Sequence, residues 1–129
     1  MATLTPTLRL ESQDLLSNHI DLINTRSLTL THGGIQRIIT KVTSAGSTAG
    51  LLYTADDYAA IAYLYVKNTD TTTTNYAYVY DDTTSGDPII LKLAGGDFAW
   101  MPLIADKTLR VYGTDAATIV EFGIFGTDQ

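Results

Sequence analysis

The chain has no cysteine, an absence that removes disulfides, thiolate metal sites and cysteine nucleophiles together and leaves the fold to rest on its core. Histidine is nearly as scarce. The two present, His19 and His32, are well separated, and a zinc site built on them would have to recruit carboxylates without any H-E-x-x-H or related spacing. Basic residues are few as well: eight Lys and Arg stand against fourteen Asp and Glu, a formal net charge of -6. A surface of that sign repels a phosphate backbone, so nucleic acid is not expected among the partners. Nowhere do about 18 apolar residues run together, and the opening "MATLTPTLRL" lacks both the basic start and the apolar stretch of a secretory signal. The expectation is a soluble product, not secreted by that route and not partnered with a membrane.

What the chain does contain is threonine, tyrosine, valine and isoleucine in short alternating runs, the composition and the period of half-buried strands. In "RSLTLT" Leu28 and Leu30 alternate with Ser27, Thr29 and Thr31; in "TLRVYG" Leu109 and Val111 alternate with Arg110 and Tyr112. With "TLRLES", "HIDLIN", "QRIITKVT", "IAYLYVKN", "NYAYVYDD", "PIILKL", "DFAWMP" and "TIVEFGIF", about ten strands are in play. The segments "THGG" (31–34), "TSAGSTAG" (43–50) and "DDTTSGDP" (81–88) read as loops, and "NTDTTTTN" (68–75) as the tip of a hairpin. Residues 55–61 could hold a helical turn. The gaps are too short for the crossover helices of a parallel sheet. The pattern therefore predicts an all-β fold: an antiparallel β-sandwich, jelly-roll-like, with an extended N-terminal arm. Residues 1–12 form the arm or a first strand and 13–129 a single sandwich domain, which 45% hydrophobic content can supply with one core.

Catalytic signatures are thin. The "HGG" at His32 could contribute oxyanion-hole amides in a hydrolase, but no G-x-S-x-G nucleophile elbow accompanies it, and it reads as a turn. Asp56-Asp57 and Asp81-Asp82 are sequence neighbours, and successive side chains on a strand point to opposite faces, so neither pair is placed for two-carboxylate chemistry. Asp81, Asp82 and Asp87 around Gly86 could make a calcium loop, although EF-hand spacing is missing. The "AGG" at 94–96 leads into a strand and not into a helix N-terminus, so it is no phosphate cradle. No enzyme activity, cofactor or resident metal is expected.

The tyrosines are more informative. Tyr63, Tyr65 and Lys67 share one parity while Leu64 and Val66 share the other; Tyr76, Tyr78 and Tyr80 oppose Ala77 and Val79. Paired as a hairpin, the two runs would set five tyrosines and a lysine in one stripe. A buried phenol without a partner costs about 1–3 kcal/mol, so Leu64, Val66, Ala77 and Val79 are expected inside and the tyrosines at a partly exposed surface. That surface could be a protein interface, a plain roof with its hydroxyls in water, or a sugar-binding platform. Further on, Gly95-Gly96-Asp97 permits a tight reversal, after which Phe98 and Trp100 share a face of a strand that Pro102 closes or places at a sheet edge. Phe98 and Trp100 read as core or subunit-interface anchors.

The order "YLYVKNTDTTTTNYAYVY", then "IILKLAGGDFAWMPL", then "TLRVYGTDAATIVEFGIF" resembles small β-sandwich structural proteins of tailed bacteriophage virions over roughly residues 61–125, and "MATLTPTLRLES" is similar to their extended arms. The resemblance implies a virion subunit assembled in the host cytoplasm, a capsid decoration or cement protein working as a homo-oligomer, commonly a trimer, on the major capsid protein. A tail, neck or receptor-binding component with a carbohydrate-binding aromatic face is the alternative. It carries over no catalytic residue. In this frame Tyr63, Tyr65, Tyr76, Tyr78, Tyr80, Phe98 and Trp100 are the candidate interface residues, and Leu4, Pro6, Leu8 and Leu10 the apolar positions of an arm that reaches a neighbour.

Overall fold

The computed structural model describes residues 1–14, 20–58, 62–104 and 106–127; His19 and the last three residues of the expected helical turn at 55–61 lie outside them. Among the described residues there is no helix. The chain divides into two compact units, Met1–Thr31 and His32–Gln129.

In the first unit β1 (Ala2–Leu4) pairs with β4 (Leu28–Leu30), and β2 (Thr7–Ser12) pairs with β3 (Ile20–Thr25), both antiparallel. The expected boundary after residue 12 thus moves to Thr31, because the next two strands fold back onto the first dozen residues and belong with them. The Arg26 amide donates to the Pro6 carbonyl at 3.2 Å, and the Thr7 and Thr25 hydroxyls meet at 3.2 Å.

The second unit contains β5 (His32–Ile39), β6 (Gly50–Tyr53), β7 (Ala62–Asn68), β8 (Ala77–Asp81), β9 (Ile89–Leu93), β10 (Phe98–Leu103), β11 (Leu109–Gly113) and β12 (Ile119–Gly126). The antiparallel pairs β8·β9, β7·β10, β6·β11 and β5·β12 describe one long two-stranded ribbon with its tip at residues 82–88. Rolled on itself, the ribbon adds the pairs β7·β12 and β8·β11 and closes into two four-stranded sheets, β10-β7-β12-β5 and β6-β11-β8-β9. This is the jelly-roll form of the sandwich. Leu64, Val66, Ala77 and Val79 are fully buried, together with Val111, Val120 and Phe122. The alternation of side chains decides which residues line the space between the sheets, as the strand period requires.

Two expected turns take another form. His32, Gly33 and Gly34 are not a loop but the start of β5. A side chain on Gly33 would run into the ring of Phe125, which lies across it from β12; the bare backbone there is a packing requirement and not a turn signal. Likewise 68–75 is no hairpin tip, since β7 and β8 lie in different sheets and the segment carries the chain across the corner of the sandwich. Asn68, with no exposed surface, organises the crossing. Its Nδ2 donates to the carbonyls of Asn75 (2.8 Å) and Leu93 (3.0 Å), and its Oδ1 accepts from the Asp70 amide at 3.0 Å. Its main chain is tied to the neighbouring corner, donating to Asp97 and accepting from Gly96, both at 2.9 Å. Gly95 sits against the carbonyls of Asp70 and Thr72, where a Cβ would collide with backbone, and Gly96 adopts φ +92. The Gly-Gly step therefore lets two stacked corners touch. Pro102 falls within β10, an edge strand of its sheet.

Replacing Asn68 by Ala strands the buried carbonyl of Leu93 and the part-buried carbonyl of Asn75 and amide of Asp70 at the corner. Each stranded group costs about 1–3 kcal/mol, so urea unfolding of Asn68→Ala is expected to show a loss of about 3 kcal/mol or more; a loss below about 1 kcal/mol would disprove the corner's role.

Candidate interaction surfaces

Strand parity turns the apolar halves of the sheets toward each other and sends the aromatic halves outward, one on each side. On the outer face of β10-β7-β12-β5 the register aligns Trp100 with Tyr65 and Gly123, and Pro102 with Tyr63 and Phe125. The Tyr63 and Trp100 rings stack at 5.4 Å with an interplanar angle of 12°, and Phe125 tilts against Trp100 at 5.6 Å. Gly33 and Gly123 leave room for the Phe125 ring. Phe98 is 65% exposed and Ile35 62%, with Ile39 and Ile119, a cross-strand pair, also open. Phe98 is therefore no core residue. One charged cluster interrupts the face: Glu121 accepts from the Tyr65 hydroxyl at 3.0 Å and from Arg37 Nε and Nη2 at 3.2 and 3.1 Å. The Tyr65 hydroxyl, then Arg37, holds the Glu121 carboxyl below the usual range, while burial and then Glu121 push the Tyr65 phenol up.

The outer face of β6-β11-β8-β9 carries the second aromatic group. Tyr78 stacks on Tyr112 at 5.0 Å, with Tyr76 and Tyr80 flanking at 6.3 Å from Tyr78 and 5.7 Å from Tyr112. Lys92 Nζ lies 4.1 Å from the centre of the Tyr76 ring, a cation–π contact. The expected single stripe does not form. Tyr63 and Tyr65 lie on one side of the sandwich and Tyr76, Tyr78 and Tyr80 on the other, because the corner at Asn68 separates the two strands into opposite sheets. Tyr80 is also not at a surface: it is fully buried, its hydroxyl donating to the Gly46 carbonyl and accepting from the Gly46 amide, each at 2.9 Å. Beside it Arg110 bonds Asp82 Oδ2 at 2.7 Å and the Ala49 carbonyl at 3.0 Å. Tyr63, at 7% exposure, is covered as well.

In the first unit Leu8 and Leu10 share a face of β2 with Leu22 opposite Leu10, and all three are roughly half exposed; Leu4 and Pro6 are partly covered. A two-stranded ribbon alone is marginally stable in water, and this one turns its leucines outward.

Asp81 and Asp82 serve different partners. Asp81 accepts from the Thr83 amide (2.8 Å) and the Thr84 hydroxyl (2.6 Å), whereas Asp82 serves Arg110. Among the described residues no three His, Asp or Glu side chains gather as a metal site. One concavity was not anticipated. A cleft of about 420 Å³ is lined by His32, Gln36, Leu52, Tyr53, Asp57, Tyr58 and Ile124. Tyr58 came from the segment expected to be a helical turn, and His32 from the one expected to be a loop, so no strand pattern pointed to them.

No family model, curated protein or solved structure matches this chain.

Two outcomes follow from these contacts. Tyr80→Phe leaves the Gly46 amide and carbonyl without their partner and is expected to cost about 1–3 kcal/mol in urea unfolding. Glu121 has a lowered carboxyl, so it stabilises the fold above the ordinary glutamate range and loses that contribution as pH falls through its folded-state value. The melting temperature of the wild type should thus drop more steeply on acidification than that of Glu121→Gln. Parallel curves would refute the assignment.

Proposed function

We propose that this chain is a non-enzymatic structural subunit of a tailed bacteriophage virion, a capsid decoration or cement protein that binds the head surface as a homo-oligomer, a trimer. The observation that carries the reading is the open face of β10-β7-β12-β5, where Phe98, Ile35, Ile39 and Ile119 are exposed around the Trp100–Tyr63–Phe125 cluster. Exposed apolar side chains gathered on one face with polar groups around them mark interaction surfaces, and rigid aromatic anchors suit a protein interface. The likeness of residues 61–125 to virion β-sandwich proteins supplies the biological setting. The jelly roll is compatible with it but also serves lectins and cupins, so the fold alone does not choose.

In this reading Phe98, Trp100 and Tyr65 meet a second copy, and the β2–β3 ribbon, through Leu8, Leu10 and Leu22, meets the major capsid protein or a neighbouring subunit. Tyr63 supports Trp100 from beneath, and Tyr80 has no part in contact. Closed symmetry covers the apolar faces without open-ended growth. The product resides in the virion after assembly in the host cytoplasm.

Light scattering at micromolar concentration is expected to give a defined oligomer, and Phe98→Ser with Ile35→Ser to shift it to monomer while stability changes by no more than about 0.5 kcal/mol, as at most surface positions. Leu8→Ser with Leu10→Ser should lower co-sedimentation with capsids of the parent particle. A strictly monomeric wild type that does not co-sediment would overturn the proposal.

A further inference from the structure

Of the four strands that border the two sheets, β5 is the longest and the least guarded. It runs eight residues, against six in β10, five in β9 and four in β6, and it holds no proline, whereas β10 contains Pro102. Which of its main-chain groups point outward follows from the ladder. The Thr40 amide donates to the Thr118 carbonyl at 3.0 Å, a bond that extends the register Ile38↔Val120, Gln36↔Phe122 and Gly34↔Ile124 and marks these as the hydrogen-bonded rungs on β12. Residues of an antiparallel strand alternate in the direction they bond, so Gly33, Ile35 and Arg37 turn their amides and carbonyls away from β12. The other side of β12 agrees, since the Thr69 amide donates to the carbonyl of Ile119, a residue of the opposite parity, at 3.1 Å. Among the described residues β5 pairs with β12 alone, and Gly33, Ile35 and Arg37 have no other main-chain hydrogen bond. All three are exposed. Toward the end of the strand the row closes, because β6 brings Gly50 against the Ile39 carbonyl.

We propose that β5 pairs antiparallel with β5 of a second copy, across a twofold axis at Ile35. In that register Ile35 meets Ile35, and Gly33 meets Arg37 of the second copy on either side, so the rungs engage every outward group of the row. The row is its own complement, which is what selects a second copy over a foreign strand. Its one charged residue, Arg37, falls opposite a glycine and not opposite another arginine. The two Arg37 residues stand four positions apart along the strands, about 14 Å, beyond the screening length of about 8 Å at physiological salt, and each is held by its own Glu121 at 3.1 Å. The Ile35 side chains, 62% exposed in the single copy, come side by side. An isologous contact of this kind occupies β5 in both copies and stops at two. It uses the border of the sheet, where the oligomer proposed above uses the flat face, and it holds whether or not that oligomer forms.

The absence of cysteine makes the test direct, because a single introduced thiol can pair only with its own counterpart. Directly opposed residues of a hydrogen-bonded antiparallel rung have Cα atoms about 5.5 Å apart, within disulfide reach. Mild oxidation of full-length Ile35→Cys at micromolar concentration is expected to give a covalent dimer on a denaturing gel. Ile104→Cys, at a position 69% exposed and so no less accessible, should remain single, which sets random collision aside. In the wild type, the amides of Gly33, Ile35 and Arg37 should be protected from hydrogen exchange at high concentration and released on dilution. Ile35→Pro removes an amide that the β12 ladder does not use and should weaken self-association by about tenfold or more. The proposal is overturned if Ile35→Cys links no faster than Ile104→Cys or if the three amides exchange freely at every concentration; protection without the link would give the border to a different strand and overturn it equally. A trimer without the link refutes the pairing alone, and a linked dimer that does not co-sediment with capsids refutes the capsid reading alone.

Discussion

A single buried amide side chain holds the corner around which the sandwich folds. Asn68 ends β7 and satisfies, with one carboxamide, the amide and two carbonyls that the chain exposes as it leaves one sheet for the other. Buried backbone groups need partners, and a sheet-to-sheet corner offers none from a ladder. An aspartate there would lose the two donors, and a leucine would leave all three groups stranded. Because the main chain of Asn68 also bonds Gly96 and Asp97, the same residue aligns the second corner, and both strands of the ribbon turn together.

That turn decides what the aromatic side chains can do. Had β7 and β8 formed a hairpin, their tyrosines would make one broad platform. Turned across the corner, they become two outer layers with different neighbours. One is open, with Phe98 and Ile35 at its rim. The other is partly sealed by the segment around Gly46, which Tyr80 holds through both its hydroxyl proton and its lone pair. Each face carries a carboxylate paired with an arginine, Glu121 with Arg37 and Asp82 with Arg110.

Period-two alternation made the inside of the sandwich legible. Leu64, Val66, Ala77 and Val79 could be assigned to the interior from parity together with the cost of burying unpaired phenols, because the division of a strand into two faces is a local property. Strand pairing is not local. The run "NTDTTTTN" has the composition of a hairpin tip, and only the partners of Asn68, at Leu93 and Asp97, distinguish a corner from a turn. Two short strands escaped notice: β1 and β6 span three and four residues, and neither carries the clear alternation that marks the equally short β4. The glycines of "HGG" misled because a glycine that makes room for a ring and one that makes a turn are the same letter. The cleft rests on residues from β5, β6 and the segment after β6, and no spacing along the chain brings His32 and Tyr58 together.

Pro102 interrupts β10, the strand at one rim of the open sheet. An incoming chain trying to zip along that rim would find a missing donor at this rung and a ring in its path. The sheet is thereby denied ribbon-like extension on that border, while its flat side stays free. Any contact made at this border is thereby turned toward layering broadside, a geometry that ends when the surface is covered, and away from the lengthwise growth that leads to fibres.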